Sequence, residues 1–225
     1  MAQAGRPAGK SVTTFPAIGH RDALLIIDVQ NDFLPGGTLA VEDGARIIPM
    51  INRLQSLPFG RVVATQDWHP RDHVSFTTTT EKGDTGDRWP PHCIAATWGA
   101  AFADTLEQAH IGLIVRKGIN PGIDSYSAFR DNDGGNETGL SQWLSACGVE
   151  RVFICGIALE YCVRATARDA RRDGFETFVL DAACAAINDD RRGIHHDLRA
   201  AGITIADART LLRDRLKRQP SNTLK

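Results

Sequence analysis

The sequence predicts a doubly wound α/β fold, in which a six-stranded parallel sheet carries helices on both faces and forms a single domain. Three observations predict it. Six short apolar runs are spread along the chain, helical patterns lie between several of them, and the runs are nearly continuously apolar rather than alternating. A strand with one wet face alternates, whereas a strand covered on both faces does not, and parallel sheets are covered on both faces.

The strands are expected at Ala23–Ile27, Arg61–Thr65, Gly112–Val115, Arg151–Cys155, Glu176–Leu180 and Ile203–Ala206, each rich in Val, Ile or Leu. Ile47, Ile48, Ile51 and Leu54 mark a helix in which Pro49 is tolerable only near the first turn. Leu140, Trp143, Leu144 and Cys147 recur at helical spacing before Gly148. Val163, Ala167 and Ala170 do so before Gly174, and Ile194, Leu198 and Ala201 before Gly202. Two stretches break the rhythm, 66–97 with its His, Trp and Pro residues and 117–137 with its Gly, Asn and Asp residues. Irregular loops of that length in a compact domain are usually functional. The domain is expected to span 22–213, with a flexible leader at 1–21 and a polar tail at 214–225.

Composition excludes several roles. With 26 Lys and Arg against 27 Asp and Glu, the net charge of -1 gives no electrostatic case for nucleic acid. No apolar run reaches the roughly 18–20 residues of a membrane span, and residues 1–21 lack the apolar stretch of a secretory signal. Five cysteines (93, 147, 155, 162 and 184) form an odd set without CxxC spacing, which reads as reduced thiols in a cytoplasmic protein.

Ligands in an open parallel sheet bind at the carboxyl ends of the strands. Those ends carry Asp28, Asp67, Lys117 and Gly156, with Cys162 six residues past Gly156. Cys162 is expected at the start of a Val163–Asp173 helix, where unpaired N–H groups and the helix dipole favour a thiolate. The N–H groups around Ala158 and Cys162 are candidates to hold an oxyanion. Asp28 closes an apolar strand, so its carboxylate is expected to be desolvated, with a raised pKa suited to a general base. Lys117 is placed to steady both anions. A second constellation is Asp67 with His69, His73 and His92, a carboxylate and imidazoles suited to zinc, iron or manganese. His195 and His196 are expected to face solvent on a helix, and His20 and His110 to be surface residues.

These residues sit in recognisable motifs. Ile27-Asp28-Val29-Gln30-Asn31-Asp32-Phe33 resembles the opening motif of the isochorismatase-like hydrolases. Gln66-Asp67-Trp68-His69-Pro70, His73-Val74-Ser75-Phe76 and Trp89-Pro90-Pro91-His92-Cys93 resemble the nicotinamidase/pyrazinamidase branch of that superfamily. Lys117-Gly118, Asp124-Ser125-Tyr126-Ser127-Ala128-Phe129 and Gly156-Ile157-Ala158-Leu159-Glu160-Tyr161-Cys162-Val163 follow in the same order. Leu159-Glu160 stands where many bacterial members have Thr-Asp, and is more similar to fungal relatives.

The resemblance implies a metal-dependent amidohydrolase. It would convert nicotinamide, and also pyrazinamide, to nicotinate and ammonia through a cysteine thioester, in NAD salvage. It implies a triad of Asp28, Lys117 and Cys162, and one divalent metal on Asp67, His69 and His92, zinc foremost with iron or manganese as alternatives. The histidine matching His73 ligates in some members, and a serine near Ser75 holds a metal-bound water in others. Phe33, Trp89 and Tyr126 are implied to flank the pyridine ring, and a cis Ile157–Ala158 peptide to shape the oxyanion hole with Cys162. No nucleic-acid or membrane partner is implied, and a homo-oligomer is compatible with the family. The rival readings are a related hydrolase of another small amide and a catalytically silent metal-binding relative.

Overall fold

The computed structural model describes residues 17–77, 88–188 and 190–218. Its six strands are β1 Asp22–Ile27, β2 Arg61–Asp67, β3 Leu113–Lys117, β4 Arg151–Gly156, β5 Glu176–Cys184 and β6 Thr204–Ala206. They form one sheet in the order β3-β2-β1-β4-β5-β6, with every neighbouring pair parallel. All six expected strands are present. The apolar runs were legible because β1 and β4 are covered on both faces, with every residue from Ala23 to Ile27 fully buried. Phe153 on β4 stacks on Phe178 on β5 with ring centroids 4.6 Å apart, which ties the central strands together.

The helices are α1 Ile48–Gln55, α2 Leu140–Ala146, α3 Arg164–Arg172, α4 Arg191–Ala200 and α5 Ala208–Arg218. α1 packs on α5 and α3 on α4, and both pairs contact the sheet. Connections run outward from β1 in one direction and from β4 in the other, so right-handed crossovers place the two pairs on opposite faces. Pro49 lies in the first turn of α1, where its missing N–H costs nothing. Gly148, Gly174 and Gly202 end α2, α3 and α4 with positive φ, as their positions after the apolar periods predicted.

Three details complete the layout. The β2–β3 crossover contains no helix among its described residues and runs as hydrogen-bonded loops. α5 runs to Arg218, past the boundary expected at 213, because Ala208, Leu211 and Leu212 share one helical face and are buried. Of the expected leader, residues 17–21 are described and 1–16 lie outside the described residues, as do 219–225 of the expected tail. Among the described residues no helix is long and apolar enough to cross a membrane.

Strand order reverses between β1 and β4, and a doubly wound sheet opens its ligand crevice at such a point. The register sharpens this. Ile27 pairs with Gly156 across β1–β4, and Asp67 pairs with Lys117 across β2–β3. Asp28 and Ile157 therefore leave the sheet side by side, with an acid and a base next to them.

Candidate active site

Gly156 is required where it stands. Its φ is +123°, and a Cβ there would lie 2.1 Å from the Ile27 carbonyl oxygen. This close approach lets the Ile157 N–H donate to that oxygen at 2.9 Å. The next peptide, Ile157–Ala158, is cis, as the resemblance implied. The Ala158 carbonyl accepts from Val163 five residues on, and Leu159–Val163 forms a single π-helical turn that leads into α3. Cys162 thus lies in that turn rather than in the first turn of α3. Such turns are frequent at functional sites.

Lys117 is the centre of the charged cluster. Its ammonium is fully buried, 2.9 Å from Asp28 Oδ2, and it donates to Asp67 Oδ1, to the Ser125 carbonyl at 3.2 Å and to Cys162 Sγ at 3.4 Å. The contact to Asp28 Oδ2 is an ion pair between two fully buried side chains. Thr65 Oγ1 donates to Asp28 Oδ1 at 2.5 Å, and the Asp28 N–H donates to Thr65 Oγ1 at 3.1 Å. Asp28, Asp67 and Cys162 bring ligand-type atoms within 4.8 Å of one another.

Electrostatics assign protons. Complete burial raises the Asp28 pKa, and Asp67 adds to the rise, while Lys117 opposes it. Burial also works against the Asp67 carboxylate, but Lys117 and the adjacent His69 outweigh it and hold Asp67 well below the usual range. Burial would neutralise Lys117, yet the two carboxylates hold its pKa well above the ordinary lysine value. The Cys162 thiol corrects the sequence expectation. Burial, with the two carboxylates beside it, pushes its pKa well above the usual value, and Lys117 only partly opposes this. These directions favour a thiol over the thiolate expected from the helix terminus.

The second constellation also assembles. His69 Nδ1 donates to the Gly118 carbonyl at 2.9 Å and His92 Nδ1 to the Pro90 carbonyl at 2.8 Å. A carbonyl only accepts, so each Nδ1 carries a proton and each Nε2 faces Asp67. Burial opposes a charge on His69, but Asp67 outweighs it and raises the His69 pKa, so a metal would displace that ring's Nε2 proton. These Nε2 atoms lie 3.6 and 4.0 Å from Asp67 Oδ2. Two fixed imidazoles and a carboxylate fit a divalent cation such as zinc, iron or manganese, with positions left open for water. Burial, with His69 nearby, lowers the His92 pKa to about 4, so that ring is neutral near pH 7 and needs no proton loss to bind metal. His73 stacks on His69 with centroids 4.1 Å apart. Its Nε2 donates to the Ile123 carbonyl at 3.2 Å and its Nδ1 accepts from Ser75 Oγ at 2.7 Å. His73 and Ser75 are thus bonded to each other, beside the three-residue set.

A pocket is lined by Phe33, Trp89 and Tyr126 together with Asp67, His69, His92, Ala158 and Cys162. All residues expected at the site therefore converge at one end of the sheet. Sequence reasoning missed Leu39, Val41, Asp124, Tyr161 and Ile187 on the walls. Tyr161 meets Trp89 edge-on at 5.0 Å and Tyr126 at 5.4 Å. Its position beside the nucleophile in the Glu160-Tyr161-Cys162 motif was the available signal. Glu160 accepts the Asn188 N–H at 2.7 Å, which ties the π turn to the segment bearing Ile187. His195, expected to face solvent, bonds Asp181 at 2.8 Å.

Comparison with known proteins accords with this geometry. The isochorismatase domain family matches residues 22–210. The nicotinamidase of Acinetobacter baylyi is 40% identical over 202 residues, covering 84% of this chain and 94% of that protein. A solved structure of PnC1 from L. infantum in complex with nicotinate is 40% identical, with a TM-score of 0.82 over 87% of this chain and 97% of that one. The pyrazinamidase of Pyrococcus horikoshii in complex with zinc is 37% identical, with a TM-score of 0.71 over 83% of this chain and 99% of that one. The chain belongs to the isochorismatase family of hydrolases, among its nicotinamidases and pyrazinamidases.

Proposed function

We propose that this protein hydrolyses nicotinamide to nicotinate and ammonia, and pyrazinamide likewise, with Cys162 as nucleophile, in the salvage of NAD. The observation that carries the reading is the buried Asp28–Lys117–Cys162 cluster, whose Cys162 lines an aromatic pocket together with Asp67, His69 and His92. Similarity to a structure in complex with nicotinate supports the substrate, and similarity to one in complex with zinc supports that metal.

The pyridine ring sits among Phe33, Trp89 and Tyr126, with the carboxamide over Cys162. Asp67, His69 and His92 would hold a divalent metal, which would supply a Lewis acid beside the bound ring. Asp28 takes the Cys162 proton, and Lys117, 3.4 Å from the sulfur, stabilises the thiolate as it forms. The thiolate attacks the carboxamide carbon, and the resulting oxyanion is held by the Ala158 and Cys162 N–H groups; the Ala158 N–H has no backbone acceptor among the described residues. Asp28 then returns its proton to the departing nitrogen as the carbon–nitrogen bond breaks, leaving a thioester. A water deprotonated by Asp28 attacks the thioester, nicotinate leaves, and the proton returns to the sulfur. A raised Asp28 pKa suits both directions of transfer.

The test measures ammonia release from nicotinamide by the purified protein, before and after chelation, together with its metal content. Turnover that is lost with the metal and restored by zinc is expected. A metal-loaded protein that releases no ammonia would favour a silent relative, and turnover confined to a non-pyridine amide would favour another hydrolase of the family.

A further inference from the structure

The motif that carries Asp28 also carries Gln30 and Asp32, and the mechanism above uses neither. Both are buried, Gln30 fully and Asp32 at 6% exposure. Gln30 treats Asp67 as a sheet neighbour would. Its Oε1 accepts the Asp67 N–H at 2.8 Å, and its Nε2 donates to the Asp67 carbonyl at 2.8 Å and to the Ala100 carbonyl at 2.9 Å. One amide thus fixes the backbone of Asp67 on both sides just as β2 ends.

Asp32 does the same for the histidines. Its Oδ2 accepts the Cys93 N–H at 2.7 Å, and the Cys93 carbonyl accepts the His69 N–H at 3.0 Å. Cys93 follows His92 directly and holds a φ of +45°, a conformation that a side-chain-bearing residue keeps only when its surroundings fix it. The fit around the Asp32 carboxylate is close, since a Cβ on Gly99 would come within 2.0 Å of Oδ2. The Gly99 carbonyl in turn accepts the Asp32 N–H at 3.0 Å.

We propose that Gln30 and Asp32 are positioning residues for the metal ligands, with Gln30 fixing Asp67 and Asp32 fixing the Cys93 hub between His92 and His69. Alternate residues of one short segment would then serve the whole site, Asp28 for proton transfer and the next two for ligand geometry. This inference rests on the metal reading above. Partners that hold ligands in place change metal affinity by about 10- to 100-fold when removed.

The test is a zinc titration of the metal-free full chain against a competing chromogenic chelator, with thermal unfolding of each metal-free protein recorded in parallel. Gln30→Met and Asp32→Ala should weaken zinc binding by about 10- to 100-fold. Asp32→Asn, which keeps an acceptor for the Cys93 N–H, should recover most of the affinity. Asp22→Ala is the control, because Asp22 is equally buried and pairs with Arg151 at 2.5 Å away from the pocket. It should lower the unfolding temperature without moving zinc affinity. Unchanged zinc affinity in folded Gln30→Met and Asp32→Ala, or the same loss in Asp22→Ala, would overturn the proposal while leaving the metal reading intact. A wild-type protein that binds no zinc would overturn both.

Discussion

Lys117→Met places a side chain of similar length, without charge, between two buried carboxylates. In the native protein the ammonium contacts Asp28, Asp67, the Ser125 carbonyl and Cys162, and its side chain is fully shielded from solvent. Removing one partner from a buried ionic cluster costs about 3–5 kcal/mol, because the charge left behind is uncompensated. For a domain of this size each kcal/mol lowers the unfolding temperature by about 2–4 °C, so a fall of roughly 6–20 °C is expected at neutral pH in the metal-free protein.

The pH dependence provides the sharper check. Lysine's raised pKa means that its stabilisation is present throughout the neutral and acidic range and is lost only as pH rises through that value. The raised pKa of Asp28 means the reverse for a carboxyl: its charged form is a cost above that pKa, relieved as pH falls and the proton binds. Without Lys117 the two acids repel each other unopposed and one takes up a proton more readily. The gap between wild type and variant should therefore narrow from pH 7 to about pH 5, within the range that raised carboxyl pKa values reach. Thermal unfolding followed by circular dichroism at both pH values measures it. An unfolding temperature within about 2 °C of wild type at neutral pH, by the same conversion, would refute the buried cluster as described here.

Three further outcomes follow from single contacts. Asp28→Asn should remain folded and lose about 10²–10⁴-fold in kcat, since the proton acceptor is gone; steady-state ammonia release measures it. Thr65→Val removes a hydrogen bond that favours the charged form of Asp28, so the acid limb of the kcat/KM profile should move to higher pH, with about 1–3 kcal/mol of stability lost. Trp89→Ala opens one wall of the pocket and removes the edge contact to Tyr161, so KM for nicotinamide should rise by more than kcat falls.

Much of this was legible because burial on both faces of a parallel sheet writes itself into the sequence. Ala23–Ile27 and Arg151–Cys155 read as strands without any partner being known, and their carboxyl ends then located Asp28 and the Gly156–Cys162 segment. Asp67 and Lys117 were found at strand ends in the same way, although only the register of β2 against β3 shows that they pair. The proton on Cys162 was not legible. A helix terminus is a local sequence feature that favours a thiolate, whereas the burial that outweighs it comes from segments distant in the chain. Gln30 and Asp32 were visible as residues of a motif, but their work lies in contacts 37 and 61 residues away. The Ile187 wall depends on the Glu160–Asn188 bond, which no spacing in the sequence predicts.

The most direct test of the central claim is Cys162→Ala in the metal-loaded protein, with nicotinamide binding and ammonia release measured on the same sample. The sulfur is the only group proposed to bond to the carboxamide carbon, while the ring contacts belong to Phe33, Trp89 and Tyr126. The account predicts that nicotinamide still binds with affinity close to wild type and that turnover is abolished. Substantial residual ammonia release from that variant would contradict the covalent mechanism.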